Sequence, residues 1–584
     1  MPNWIQEEIS DMKKLLINFS AITILVTLIA APAKASSIPE EQWRIPYPTN
    51  LNWHGDAFKS ISIESSMQIF DTFPHLWAES YPNSTWSRYT CTDTKSIGCT
   101  NPDQYSYQSI LPVCKDSADT DCIDSLNATG EDGSITGAKF TNYNLDKHPQ
   151  DFTTPPELGI PHTANPSVWN ISGAPHANGT SYLVVVGLTG TVDNRNKNSY
   201  RNSQSIYANV IPVSVHKKAL ATLPSCWQRE GIDLNNLVGN SDFCTGSEGQ
   251  YVSDNEPRCS AAYGTSGDCY APEPFPSGFK FELNLRLKKE PLGWIHGRIE
   301  TPNISITKSS SGSTLLKVSA SPVKVPVFFT NGYWNQLSEK IKQWWLTDFR
   351  TYILNGDAAG TASGSDPEHP DRNVPTSIVF MTAHPYGDFS MSIIKNLSGE
   401  VKDTAAASPT TWSFRSLDDP FGNSVNPCIS TGTGLKGIVT TNSTSYAQGA
   451  PTFSNGNLNY KVASLHYLSD GSIFHGTYDL ILRSDVARCL YGFSNAPISA
   501  TISVLSENGA NQVAVTSVNE KSGWLYLSAS GFTFSNPSIS VKLTQEGPKP
   551  KVVNAGVPKK LTCVKGNLTK VVSTANCPTQ YKKK

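Results

Sequence analysis

Twelve cysteines constrain this chain more than any other feature. Taken in order, Cys91, Cys99, Cys114, Cys122, Cys226, Cys244, Cys259, Cys269, Cys428, Cys489, Cys563 and Cys577 fall into neighbouring pairs. An even number of cysteines in an exported chain reads as a disulfide framework, and joining nearest neighbours is the simplest of the connectivities the sequence permits. Zinc would need Cys-x-x-Cys or histidines at ligand spacing, and no pair carries either, so no metal site is expected. Loops closed over so few residues restrict the unfolded ensemble by about 2–3 kcal/mol each, which predicts pinned surface loops rather than a disulfide core.

The framework implies an oxidising compartment, and the N-terminus agrees. Glu7, Glu8 and Asp11 do not suit a targeting peptide, but Met12 is followed by Lys13-Lys14, an apolar run over residues 15–31, and Ala33-Lys34-Ala35. That small-x-small pattern predicts a signal peptide over residues 1–35 with Met12 as the initiator and Ser36 as the mature start. The competing reading is an uncleaved anchor, since about 17 residues is near the lower limit for crossing a bilayer. Asn18, Ser20 and the cleavage triplet favour removal. No later stretch is long and apolar enough to span, so the mature chain is expected to be extracellular or at the cell surface.

A mature chain of this length exceeds one core, and length alone suggests three or four domains. Charged residues make up only 16% of the sequence while aromatics reach 10%. With Gly, Pro, Ser, Thr and Asn between short apolar runs, this is a β-rich extracellular profile. Residues 181–188 and 206–215 read as buried strands, and 279–287 alternates Phe279, Phe281, Leu283 and Leu285 with polar partners. The whole of 36–329 is taken as a large elaborated β region, one domain or two, with residues 225–269 as a cysteine-stapled excursion. Residues 330–410 are expected to be a helix and loop segment packed on the β core. Its helix is predicted over 333–354, where Trp334, Leu337, Ile341, Trp344, Trp345, Phe349 and Ile353 recur at helical spacing. This stripe is read as covering a sheet.

Residues 411–546 predict a β-sandwich. Tyr478, Leu480 and Leu482 alternate, as do Ile539, Val541 and Leu543, and Trp524 and Tyr526 share one face while Leu525 and Leu527 share the other. Asn508-Gly509 predicts a hairpin joining 496–504 to 512–518. Cys428 and Cys489 are spaced like an inter-sheet bridge. The fold class is therefore mainly β: multi-domain β-sandwich-type modules with one amphipathic helix and disulfide-pinned loops. Asn-x-Ser/Thr triplets at Asn83, Asn127, Asn170, Asn178, Asn303, Asn396, Asn442 and Asn567 are read as exposed turns, with no inference of glycosylation.

Charge is unevenly placed. The net charge is −2, yet residues 548–584 hold nine lysines and no acid, leaving −11 on everything before them. Residues 547–584 are read as a linker followed by a basic tail, in which Cys563 and Cys577 close a loop and Lys565-Gly566-Asn567 fits a hairpin turn. Lys559, Lys560, Lys565, Lys570, Lys582, Lys583 and Lys584 are the candidate binding residues for a polyanion, attracted at long range and screened by salt. Tyr581 is the tail's one aromatic side chain, so base stacking has little to work with and nucleic acid is not the expected partner.

Catalytic signatures are absent: no Gly-x-Ser-x-Gly, no His-Glu-x-x-His and no phosphate loop. Catalytic residues are not assigned, and no cofactor is expected. Tyr263-Gly264-Thr265-Ser266-Gly267-Asp268 superficially looks like a serine-protease nucleophile loop, but no histidine supports it. Asp116, Asp119, Asp121 and Asp124, or Asp193 with Asn194 and Asn196, carry calcium-type ligands without a complete loop motif. Paired carboxylates for glycoside hydrolysis need no sequence proximity and stay open. His296, in Gly-Trp-Ile-His-Gly-Arg, reads as a core residue.

The segments Tyr478-Asp479-Leu480, Ala487-Arg488-Cys489-Leu490-Tyr491-Gly492-Phe493 and Gly531-Phe532-Thr533-Phe534, followed by Thr562-Cys563-Val564-Lys565-Gly566, Cys577-Pro578 and Tyr581-Lys582-Lys583-Lys584, resemble the terminal pattern of a group of uncharacterised exported actinobacterial proteins. The likeness covers about the last third and implies no activity. Where those tails usually carry Gly before Tyr581, this chain has Gln580. The expected function is a secreted or cell-surface, non-catalytic binding protein, retained at the envelope by its tail through a cell-wall or extracellular anionic polymer and binding a polymer such as a glycan. A secreted carbohydrate-active hydrolase and a structural surface-layer component are the alternatives.

Overall fold

The structure is a computed structural model that describes residues 40–43, 58–63, 74–81, 87–144, 151–195, 204–218, 260–261, 267–309, 312–344, 347, 358–361, 379–417, 428, 434–494, 498–505, 511–512, 515–534, 538–545, 560–572 and 576–584. It is mainly β, and its centre is a long sheet of sixteen strands. The main path runs Val515–Lys521, Trp524–Phe532, Gly476–Arg483, Leu435–Thr441, Gly293–Arg298, Thr410–Ser416, Gln204–Lys218, Ser181–Asp193, Gln104–Ile110, His75–Ser80, Ser87–Thr90. Neighbours along it are antiparallel except Gly293–Arg298 with Leu435–Thr441, which are parallel. Thr410–Ser416 is hydrogen-bonded to Gly293–Arg298 on one side and Gln204–Lys218 on the other, so the C-terminal sandwich shares its sheet with strands from the first half.

Two further sheets cover opposite faces of the long one. A five-stranded sheet, ordered Glu300–Lys308, Thr314–Ser321, Lys280–Leu287, Cys122–Thr129, Ile135–Gly137, sets Leu126, Phe281, Leu283, Leu285, Leu316 and Val318 against Val184, Val186, Ile206, Val210, Trp412 and Ile481. A six-stranded sheet, built on Asn457–Ala463, Ser538–Gln545 and Ile498–Leu505, sets Tyr460, Val462, Ile502, Val504, Ile539 and Val541 against Val439, Tyr478, Leu480, Leu482, Leu525 and Leu527. Strand Gly476–Arg483 is thus buried on both faces, Ile481 in one core and Leu480 and Leu482 in the other. This explains why Leu480-Ile481-Leu482 is an unbroken apolar run, and each such side chain contributes about 1.5–3 kcal/mol. Trp524 and Tyr526 face the first core and Leu525 and Leu527 the second, as the alternation predicts. Gly437 permits the close approach of Trp294, whose ring would lie 2.4 Å from a Cβ there.

A four-stranded sheet, ordered Phe328–Tyr333, Phe58–Ile63, Val379–Ala383, Ala358–Thr361, carries the helical layer. The helix expected from residue 333 starts later. Pairing of Phe58 with Tyr333 holds the chain extended, Trp334–Gln336 makes a single 3-10 turn, and the α-helix α1 spans Glu339–Trp344. Residues 345–346 and 348–354 of the expected helix lie outside the described residues. The stripe does bury Ile341 and Trp344, but against a second helix as well as the sheet: α2, Asp388–Leu397, contributes Phe389, Ile393 and Ile394, and the Trp344 indole donates to Ser392 Oγ at 2.9 Å. A third helix, α3, Ser484–Tyr491, ends at Gly492 in the left-handed region, φ 65°.

Four predicted disulfides form: Cys91–Cys99, Cys114–Cys122, Cys428–Cys489 and Cys563–Cys577. Cys226, Cys244, Cys259 and the Cys269 side chain fall outside the described residues, as does the Tyr263–Ser266 stretch. Three expectations need correction. Cys489 sits on α3, so the Cys428–Cys489 bond anchors a helix rather than joining two sheets. The strand expected over 512–518 is divided: Asn511–Gln512 pairs with Ile498–Leu505, while Val515–Lys521 joins the long sheet. Val504 pairs with Gln512 as the predicted hairpin requires, while its Asn508-Gly509 turn lies outside the described residues; a further tight turn, Ser522-Gly523, has both φ values positive (52° and 80°), as a type I′ hairpin requires. The glycosylation-like triplets are not all exposed turns, since Asn127 and Asn303 lie in strands, Asn396 lies in α2 and Asn442 is buried.

Candidate functional sites: a basic tail and a polar cleft

The tail is a folded unit. Leu561–Lys565 is the centre of a three-stranded antiparallel sheet, flanked by Leu568–Val572 and Lys582–Lys583. Gly566 at φ 57° and Asn567 close the hairpin in two residues, an arrangement that needs a residue free to adopt positive φ first. Cys563 is fully buried under its bond to Cys577. Directly opposed residues share a face, so Lys570 and Lys583 flank Cys563 on one face, two strand spacings or about 9.6 Å apart. Lys582 lies opposite Val564 on the other face, and the Lys584 amide donates to Thr562 O at 3.0 Å.

Lys560, Lys565, Lys570, Lys582, Lys583 and Lys584 are all exposed, while Lys559 lies outside the described residues. None of these six takes part in an ion pair among the described residues. Lys565 Nζ donates to the side-chain oxygen of Gln580, a neutral partner. Gln580 itself has φ 78°, within the turn where the Tyr581 amide donates to Pro578 O at 2.9 Å. That is a backbone conformation which glycine adopts more readily than glutamine.

The histidine of Gly-Trp-Ile-His-Gly-Arg belongs to a buried clamp. His296 stacks on Tyr446 with ring centroids 3.4 Å apart, and the Arg298 guanidinium lies 4.6 Å from the same ring. Arg298 has carbonyl oxygens as its hydrogen-bond acceptors: Nη1 donates to Thr441 O at 3.1 Å and to Ser443 O, and Nη2 donates to Thr444 O at 3.0 Å. Burial pulls the Arg298 pKa down to about 10. Burial, reinforced by Arg298 and Arg415, holds His296 well below the usual imidazole range, so it stays neutral. Its role is to fix the 441–446 loop.

The acidic cluster at 116–124 is structural in part. Asp119 Oδ2 accepts the amides of Lys115 and Asp116, and Asp124 pairs with Arg286 at 2.7 Å. Among the described residues no group of three or more His, Cys, Asp or Glu side chains is placed to hold an ion. Asp121 differs from its neighbours. It lines a solvent-open cleft of about 260 Å³ with Tyr107, Glu157, Leu158, Val192, Asp193, Gln204, Lys288 and Lys289. Burial raises the Asp121 pKa, an effect that the Lys288 amide and the Lys288 and Lys289 charges oppose. Burial likewise pushes the Tyr107 phenol up to about 12. The sequence singled out Asp121 and Asp193, for calcium, but Tyr107, Gln204 and the lysines come from distant segments and carry no local signal. No protein-family model matches the chain, and no curated protein matches it closely enough to count as a relative.

Proposed function

We propose that this chain is an exported, non-catalytic binding protein held at a cell surface by its tail, whose partner is an anionic polymer of the cell wall or extracellular matrix. One observation carries the reading: a disulfide-closed sheet displays six exposed lysines on both faces with no acid in residues 548–584, tethered to a body of formal charge −11. An unfolded spacer needs neither a disulfide nor a strand register. Each exposed ammonium contributes little alone, but several on one small scaffold sum to a field that draws in polyanions and weakens with salt. A secreted carbohydrate hydrolase is the second reading, and the raised pKa of Asp121 in a cleft is what favours it.

The test is a panel of immobilised polymers: one carboxylate-rich polysaccharide, one phosphodiester polymer and one neutral glucan. The full chain is expected to bind both anionic supports, and a variant with Lys565, Lys570, Lys582, Lys583 and Lys584 changed to Gln is expected to lose that binding. Equal retention of the variant would reject the tail's role.

A further inference from the structure

The polar cleft is a second feature, separate from the tail, and the geometry points to it as a binding site for a neutral saccharide chain. This goes beyond the proposed function, which rests on the tail, and does not depend on it. Six separate segments converge on it: the strands Gln104–Ile110, Ser181–Asp193 and Gln204–Lys218, the turn Pro156–Leu158, the loop that carries Asp121, and the loop at Lys288 and Lys289 that docks on Asp121.

Two groups give the cleft its chemistry. Asp121 is 8% exposed, and its Oδ1 accepts the Lys288 amide at 2.9 Å, while Oδ2 has no hydrogen-bond partner among the described residues. Tyr107 is 5% exposed, and its hydroxyl accepts a hydrogen bond from Gln204 Nε2 at 3.1 Å, with no acceptor for its own proton among the described residues. A nearly buried wall therefore offers one spare acceptor and one spare donor, close enough that the Asp121 charge raises the phenol pKa. A sugar hydroxyl, which donates and accepts at once, satisfies both.

The rim decides against charged ligands. Glu157, Asp121 and Asp193 line the cleft together with Lys288 and Lys289, so the lining carries both signs and draws neither a polyanion nor a polycation. Leu158 and Val192 supply apolar surface for the C–H faces of a ring. The cleft's own volume of about 260 Å³ falls just short of the ~300–1,000 Å³ of small-ligand sites, room for a short stretch of a chain whose remainder runs into solvent. Asp121 is also held in place: it sits beside the Cys114–Cys122 bond with φ 54°, a strained conformation for a residue with a side chain.

The experiment titrates the full chain by calorimetry with neutral hexasaccharides (chitohexaose, cellohexaose, xylohexaose, maltohexaose and mannohexaose) at about 0.5 M salt, where the tail's field is screened within a few ångströms. At least one probe is expected to bind. Asp121→Asn and Tyr107→Phe are each expected to weaken it about tenfold, and Lys582→Gln is expected to leave it unchanged. If Asp121→Asn does not fold, as judged by circular dichroism, Tyr107→Phe decides the matter. No binding by any probe, or binding that neither cleft variant weakens, overturns the inference, and neither result bears on the tail.

Discussion

Replacing Cys563 and Cys577 together by serine should unfold the tail and nothing else. The bond spans 14 residues of sequence, and closing a loop of that size is worth about 3 kcal/mol through the entropy it removes from the unfolded chain. Nothing among the tail's described residues replaces that contribution. Among the described residues of the tail Cys563 alone is fully buried, Leu568 and Val571 are 64% and 56% exposed, and units below ~40 residues need a staple of this kind. The lysine charge is unaffected by the change, so the variant separates ordering from electrostatics. Hydrogen exchange followed by mass spectrometry should show tail peptides, which include the Lys584 amide bonded to Thr562, exchanging freely in the variant and protected in the native chain. Body peptides should be unaltered. Binding to a polyanion should weaken by up to ~100-fold, the equivalent of the lost ordering energy, while keeping its salt dependence. Tail amides that stay protected without the disulfide would refute the reasoning, because a core or docking contact would then have to hold the sheet.

Three other outcomes follow from the structure. His296 is neutral in the fold and His75 is brought down to about 4 by burial and Arg88, so between about pH 6.5 and 4 the unfolded chain binds more protons. Stability is complete above the unfolded imidazole pKa and falls below it, by about 1.4 kcal/mol per pH unit for each group. Thermal melts at pH 7.5 and 5 should show the loss, and His75→Gln should make it shallower. Arg298→Met strands the carbonyls of Thr441, Ser443 and Thr444 and should destabilise the fold by about 3–5 kcal/mol, read from the denaturant midpoint. Gln580→Gly relieves a positive φ in the tail and should stabilise it by up to about 1 kcal/mol, seen as slower exchange of the same tail peptides.

The sequence was most legible where one face of a strand is buried. Alternation around Tyr478, Leu480 and Leu482, and around Ile539, Val541 and Leu543, predicted which residues fill the second core because a two-residue period fixes the face. The sharing of one sheet between distant segments was not legible, since strand order depends on partners such as Thr410–Ser416 with Gln204–Lys218 that leave no trace in either segment. Phe389, Ile393, Ile394 and Leu397 do follow helical spacing, but the tryptophan-rich stripe between Trp334 and Ile353 is the stronger helical signal. Of the candidate sites, the tail is continuous in sequence and announced itself by charge. The cleft is assembled from six segments, and only its aspartates stood out.

The most direct test of the central claim compares the full chain with one ending at Glu546 for binding to a single immobilised polyanion across a salt series from about 0.05 M to about 0.5 M. The full chain should bind tightly at the low end and release steeply as salt rises, and the shortened chain should bind weakly throughout. Two superimposable curves would contradict the account.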